Sequence, residues 1–266
     1  MPAFETHPAG ARATEDGGPG TRWHRIYRRA VERQWDNERE IDWSASTEVD
    51  PRRADAWRRL VTIFHTLESM GLVVINEMAN SVGRRVGDPS APLYLGMQVA
   101  DEVRHVDCLR RYLTKLGQAP KRQPLYDSLG LFASKGFART ENWLASTLFS
   151  ENFATVFLRS SIEAGIDPFA NQFFRSFLKD EARHVNFLEN AIPDVYERLG
   201  SVRRGAVKVT QFALLRFAWM LGKRLDDDAR AVGLDRRALY DEVFQRMEDQ
   251  WRKMGFAGLV VPPRPR

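Results

Sequence analysis

The string Asp-Glu-x-Arg-His occurs twice in this chain, in ADEVRHV at 100–106 and in KDEARHV at 179–185. On a helix, residues three apart share a face, so each copy aims a carboxylate and an imidazole at one point. Each copy also follows a lone glutamate: Glu68 stands 34 positions before Glu102, and Glu151 stands 30 before Glu181. The repeating unit is therefore a helix carrying Glu, a turn, and a helix carrying Glu-x-x-His. The four-residue difference matches the longer turn GRRVGDPSAP against the shorter GIDP. Antiparallel helices set residues equidistant from their turn side by side, which puts each lone glutamate level with its motif.

Gly and Pro cut the rest of the chain into helix-length pieces, and no convincing β-alternation occurs, so the expected fold class is all-α. RWHRIYRRAVERQW reads as a first helix. Asp50-Pro51 is expected to cap and open a long second one running to about Val82. Further helices are expected over about 93–116, 140–164 and 168–200, the last kinked at Pro193. Two more, near 202–224 and 236–254, are expected to pack outside. QAPKRQPLYDSLGLFASKGF reads as a long connection with room for a short helix. The domain reading is a disordered tail over 1–21, a bundle over 22–200 with core hairpins at about 51–117 and 140–200, C-terminal helices over 201–258 packed on the bundle, and a tail over 259–266.

A four-helix bundle with Glu on two helices and Glu-x-x-His on the other two is the dinuclear carboxylate arrangement. Carboxylates are hard, anionic and able to bridge, so they hold two divalent cations close together, and imidazoles suit iron. The expected ligands are Glu68, Glu102 and His105 from the first hairpin, with Glu151, Glu181 and His184 from the second. The expected cofactor is two iron ions, with manganese in one site as the alternative. Four carboxylates against two divalent ions give a neutral core, tolerable in a low-dielectric interior. The chain has only five His, and two of them fall in the duplicated string, which sets it apart from a chance surface pair. Glu77 on the helix of Glu68, and His65 one turn before Glu68, stay open as additional members. Asp101 is expected to accept from His184 and Asp180 from His105, crossing between hairpins and fixing each ring. Arg104 and Arg183 would balance those aspartates.

These residues resemble the ferritin-like di-iron oxygenases and oxidases, a group that includes ribonucleotide reductase small subunits and acyl-carrier desaturases. The doubled Glu…Asp-Glu-x-Arg-His spacing is most similar to the p-aminobenzoate N-oxygenase family, and QWDNEREIDWS at 34–44 resembles the entry segment of the reductase-like branch. The resemblance implies a ferritin-like four-helix bundle with added N- and C-terminal helices, and oxidation of amines. Two departures stand out. The arylamine N-oxygenases carry a third histidine one turn before the second-motif Glu, where this chain has Phe177. The radical tyrosine of reductase subunits is replaced by Leu109. Thr155, one turn past Glu151, occupies the place of a threonine that multicomponent monooxygenases hold near their oxygen site. It is a candidate for proton delivery, against the equal alternative of a helix threonine bonding its own backbone.

The expected activity is that of a non-haem di-iron oxygenase with dioxygen as co-substrate and a small organic molecule as substrate, N-oxygenation of an amine leading. C–H hydroxylation or desaturation, and ferroxidase activity without an organic substrate, are the alternatives. Phe64, Leu72, Leu148, Phe177 and Leu188 are expected to line a water-excluding chamber. No flavin or nucleotide motif is present, which implies an external electron donor, a ferredoxin or a flavoprotein reductase. The net charge of +5 comes from scattered Lys and Arg with no nucleic-acid motif, so no nucleic-acid partner is expected. No uncharged run of about twenty apolar residues exists, so no membrane span is expected. A homodimer through an outer helix is an open expectation. Cys108 is the only cysteine, which fits a reducing, cytoplasmic location.

Overall fold

The computed structural model describes residues 20–119 and 139–258, and among them it contains nine α-helices and no strand. They are α1 (Arg22–Glu32), α2 (Asn37–Glu40), α3 (Ala54–Val86), α4 (Ser90–Lys115), α5 (Thr140–Glu163), α6 (Pro168–Tyr196), α7 (Ser201–Gly222), α8 (Asp226–Ala231) and α9 (Arg236–Lys253). The expected tails, apart from Gly20 and Thr21, lie outside the described residues, as does all but the start of the connection at 118–137.

Local chemistry sets several helix starts. The Thr21 hydroxyl accepts from His24 N, Asp36 from Glu38 N, and Asp167 from Phe169 N. Each satisfies a donor that the first turn leaves unpaired. Pro168 then sits in the first turn of α6, where its missing N–H costs nothing. Asp50 does not cap α3. Its side chain accepts from Arg52 N at 2.9 Å and its carbonyl from Arg53 N at 2.8 Å. That closed turn delays the helix to Ala54. At the other end α3 continues through GRRV to Val86, past the expected stop. Gly87 ends it in the left-handed region (φ 79°), its N–H bonded to Gly83 O at 3.0 Å. Pro193 lies within α6, which ends one turn later. The short helix α8 was not expected.

Helices α3 with α4, and α5 with α6, form the two antiparallel hairpins, and α3 and α4 also meet the second pair. Helix α1 lies on α4. The C-terminal helices cover the opposite side: α8 meets α3 through Arg59–Asp228, and α9 meets α5 through Asn152–Gln250 and Arg159–Glu242. Two apolar clusters fill the bundle, one around Leu144, Leu148 and Phe187, the other around Trp57, Phe173, Phe174 and Phe177. Each such side chain contributes about 1.5–3 kcal/mol when fully buried. The carboxylate and imidazole groups of the duplicated motif lie between them.

Candidate metal centre

Glu68 on α3, Glu102 and His105 on α4, Glu151 on α5, and Glu181 and His184 on α6 converge in the bundle interior, all buried. Their donor atoms fall into two groups that share Glu181, each drawn within 4.8 Å: Glu68, His105 and Glu181, then Glu102, Glu151, Glu181 and His184. Both imidazoles point Nδ1 inward. His105 Nδ1 lies 3.1 Å from Glu68 Oε2, 3.7 Å from Glu102 Oε2 and 3.6 Å from Glu181 Oε1. His184 Nδ1 lies 3.3 Å from Glu151 Oε2, 3.5 Å from Glu102 Oε1 and 3.2 Å from Glu181 Oε2. Glu102 and Glu181 therefore each present one oxygen to each imidazole. Glu68 faces His105 alone and Glu151 faces His184 alone.

The outward nitrogens face aspartates of the other hairpin. His105 Nε2 is 3.1 Å from Asp180 Oδ2, and His184 Nε2 is 3.2 Å from Asp101 Oδ2. Arg183 Nη2 donates to both aspartates, to Asp180 Oδ1 at 2.6 Å and Asp101 Oδ2 at 3.0 Å, while Arg104 pairs with Asp101.

Three contributors escaped the sequence reading. Gln34 Nε2 donates to Asp101 Oδ1 at 2.9 Å, Trp35 Nε1 donates to Asp180 Oδ2 at 2.8 Å, and Gln98 Nε2 donates to Glu151 Oε1 at 3.0 Å. Gln98 lies four residues before Glu102, so helical spacing was a usable signal for it. No spacing rule links the chain just after α1 to residues 101 and 180.

The electrostatics mark a site short of positive charge. Burial, then the Glu68 charge, pushes the Glu102 carboxyl up to about 8. Burial, then the Glu151 charge, pushes Glu181 well up too, and Glu181 Oε1 has no hydrogen-bond partner. Burial also opposes charge on both imidazoles and on Glu151, but the opposite charges and bonds around them prevail. They hold His105 and His184 well above the usual imidazole range and Glu151 below the usual carboxylate range. Packed carboxylates forced to keep protons, with an orphaned oxygen among them, suit two divalent cations.

The other expected members fall elsewhere. The Thr155 hydroxyl donates to Glu151 O at 2.8 Å, the backbone alternative, and Thr155 is absent from the wall of the cavity described below. His65 is half-buried, belongs to neither donor group, and has Nε2 unpartnered. The side chain of Glu77 lies outside the described residues. Phe177 stacks on the His105 ring, with centroids 3.9 Å apart and planes at 24°.

A cavity of about 320 Å³ opens onto Glu68, Glu102 and Glu151. Helices α3 and α5 form one side of it and α7 to α9 the other. Phe64 is in its wall, as expected. Leu148, Phe177 and Leu188 instead belong to the packed clusters, and Leu72 is half-buried outside the wall. None of the described helices is long and apolar enough to cross a membrane.

Residues 73–256 match the family described as P-aminobenzoate N-oxygenase AurF. No curated protein matches. Among solved structures, a variant of R2-like ligand-binding oxidase with an anaerobically reconstituted Mn/Fe cofactor is similar at a TM-score of 0.65 and 17% identity, over 91% of this chain and 95% of that one. A protein with aldehyde deformylating oxidase activity from Synechococcus is similar at a TM-score of 0.67 and 17% identity, over 82% of this chain and 96% of that one. These likenesses establish the ferritin-like, R2-type helical bundle. With well over half its length matched, the chain belongs to the p-aminobenzoate N-oxygenase family and is a dimetal oxidoreductase.

Proposed function

We propose that this chain is a dimetal oxygenase that uses dioxygen to N-oxygenate an organic amine, with Glu68, Glu102, His105, Glu151, Glu181 and His184 as its metal ligands. The observation that carries the reading is the buried six-residue cluster opening through three of its carboxylates onto an apolar-walled cavity. Two iron ions, or one manganese and one iron as in the R2-like ligand-binding oxidase, would supply the electrons that reduce dioxygen.

The chain's own residues do the rest. The inward Nδ1 atoms would be the nitrogens that hold the metals. The outward Nε2–H groups donate to Asp180 and Asp101, which fixes both tautomers and ring planes. Glu102 and Glu181, which each face both imidazoles, and Glu68 and Glu151, which each face one, would be the carboxylates that hold the ions. Arg183 offsets the paired aspartates, so the acceptors of the histidine protons stay ionised. Phe177 packs on His105 where the arylamine N-oxygenases place a histidine, giving a six-residue donor set and a sealed flank. The apolar cavity wall keeps water from the reacting atoms. An external ferredoxin or flavoprotein as reductant, and a homodimer, are parts of this proposal.

One observation favours a second reading, C–H oxidation. The wall hydroxyls of Ser146 and Ser150 are spent on backbone carbonyls of their own helix, so little in the wall singles out an amine. The two readings separate on products. Iron-loaded protein, a chemical reductant and isotopically labelled dioxygen are supplied with arylamines and with alkanes, and organic products are analysed by mass spectrometry. Label on nitrogen supports N-oxygenation, and label on carbon supports the second reading. Iron oxidation with no labelled organic product refutes both in favour of a ferroxidase.

A further inference from the structure

The cavity is long as well as apolar. Its wall on α3 runs from Leu60 to Ile75, fifteen helical steps and so about 22 Å at 1.5 Å per step. Glu68 sits midway along that wall, and Glu151 sits midway along the α5 wall from Ser146 to Phe157. The carboxylates therefore open into the side of an elongated chamber rather than at the bottom of a short cup.

One charged group other than the cluster carboxylates lines the chamber, Arg236 in the first turn of α9. Its guanidinium is largely buried, with the side chain 15% exposed. It lies 4.1 Å over the Trp219 ring and is paired through Nε and Nη2 with Asp226. These contacts fix its plane and leave Nη1 buried with no hydrogen-bond partner among the described residues. A buried orphan N–H on a charged group is costly unless something fills it. Tyr240, also in the wall, does not fill it: its hydroxyl donates to Leu215 O at 2.5 Å and makes no bond to Nη1. Gly222 lies against Arg236, where an added Cβ would come within 3.4 Å of its Cδ.

We propose that the chamber takes an elongated, mainly aliphatic molecule with one anionic end, a carboxylate, which Arg236 Nη1 binds while the chain lies past the metal-facing carboxylates. This rests on the reading of the cavity as the substrate chamber of the metal centre. It assigns a substrate shape that a compact aromatic amine lacks, and it makes Arg236 the specificity-determining residue.

Binding of redox-inert probes to the full-length, metal-free chain tests it by calorimetry, independently of any oxygen chemistry. Decanoate is expected to bind at one site per chain, at least tenfold more tightly than 1-decanol or p-aminobenzoate. Arg236→Gln is expected to remove the preference for decanoate over decanol while leaving decanol affinity unchanged. Ala218→Trp, which fills the chamber from half-buried α7, is expected to abolish binding of both, with helicity by circular dichroism retained. Equal affinity of the wild type for decanoate and decanol overturns the role of Arg236 even if the variant fails to fold. Binding that survives Ala218→Trp, or tight binding of p-aminobenzoate without decanoate, overturns the chamber assignment. A chain that binds decanoate as expected yet takes up no metal would instead defeat the oxygenase reading and leave this one standing.

Discussion

Replacing Asp180 with asparagine removes one charge and almost no volume. Three donors converge on this buried carboxylate: His105 Nε2 at 3.1 Å and Trp35 Nε1 at 2.8 Å on Oδ2, and Arg183 Nη2 at 2.6 Å on Oδ1. Burial pushes its pKa up, but the His105 bond and the His105 and Arg183 charges win and hold it well below the usual range. An amide has one acceptor oxygen, so its NH2 must face at least one of the three donors and leave that donor unpaired, at about 1–3 kcal/mol. Arg183 can fall back on Asp101, 3.0 Å away, so the loss concentrates on His105 and Trp35. A metal-bound imidazole without its outer carboxylate typically loses 10–100-fold in metal affinity, about 1.4–2.8 kcal/mol at 1.4 kcal/mol per decade. Anaerobic equilibrium dialysis with Fe(II) is then expected to show one of two binding steps weakened by that factor. Asp101→Asn is expected to weaken the other step. Their double mutant should depart from additivity, because the two carboxylates share Arg183. Two steps of wild-type affinity in Asp180→Asn would refute the crossed-aspartate reasoning.

The metal-free chain is expected to lose stability as pH rises from about 5 to 8. Folded Glu102 keeps its proton to about 8 against an ordinary value of 4.5, so the folded state binds more protons across that window. At 1.36 kcal/mol per unit the upper bound is roughly 5 kcal/mol. His105 and His184, also raised, act in the same direction above their ordinary 6.5. Metal displaces those protons, so the rise in melting temperature on metal loading should grow over the same range; a flat melting temperature without metal would contradict this. Phe177→Ala is expected to cost about 3–5 kcal/mol in chemical denaturation through the cavity it leaves, and to weaken metal binding by freeing the His105 ring; a loss below 1 kcal/mol would show that the stack is dispensable. Tyr112→Phe removes the hydroxyl that accepts from Trp57 Nε1 at 2.7 Å and donates to Asp167 at 2.6 Å. A destabilisation of about 1–3 kcal/mol is expected, and an unchanged denaturation midpoint would count against it.

What could be read from the sequence was the part governed by helical spacing. Glu102 with His105, and Glu181 with His184, must share faces on any helix, and equidistance from the turns set Glu68 and Glu151 level with them. The crossing of Asp101 and Asp180 also followed, because each precedes a glutamate of the cluster and so points towards the other hairpin. What escaped depends on packing between elements distant in sequence. Gln34 and Trp35 reach the aspartates only because α1 lies on α4, and Arg236 meets the cavity only because α7 to α9 fold back over it. Backbone competition explains other differences. Thr155 bonds the carbonyl one turn back, and Asp50 closes a turn with Arg52 and Arg53 instead of capping α3. GRRV stays helical because Gly87, not Gly83, takes the left-handed conformation.

The central claim is that the duplicated motif forms the two halves of one dinuclear site, and a count of Fe(II) bound per chain under anaerobic conditions tests it most directly. Two ions per wild-type chain are expected. Glu102→Ala, which removes a carboxylate facing both imidazoles, is expected to abolish iron binding and turnover together. One ion or none in the wild type, or two retained in Glu102→Ala, would contradict it.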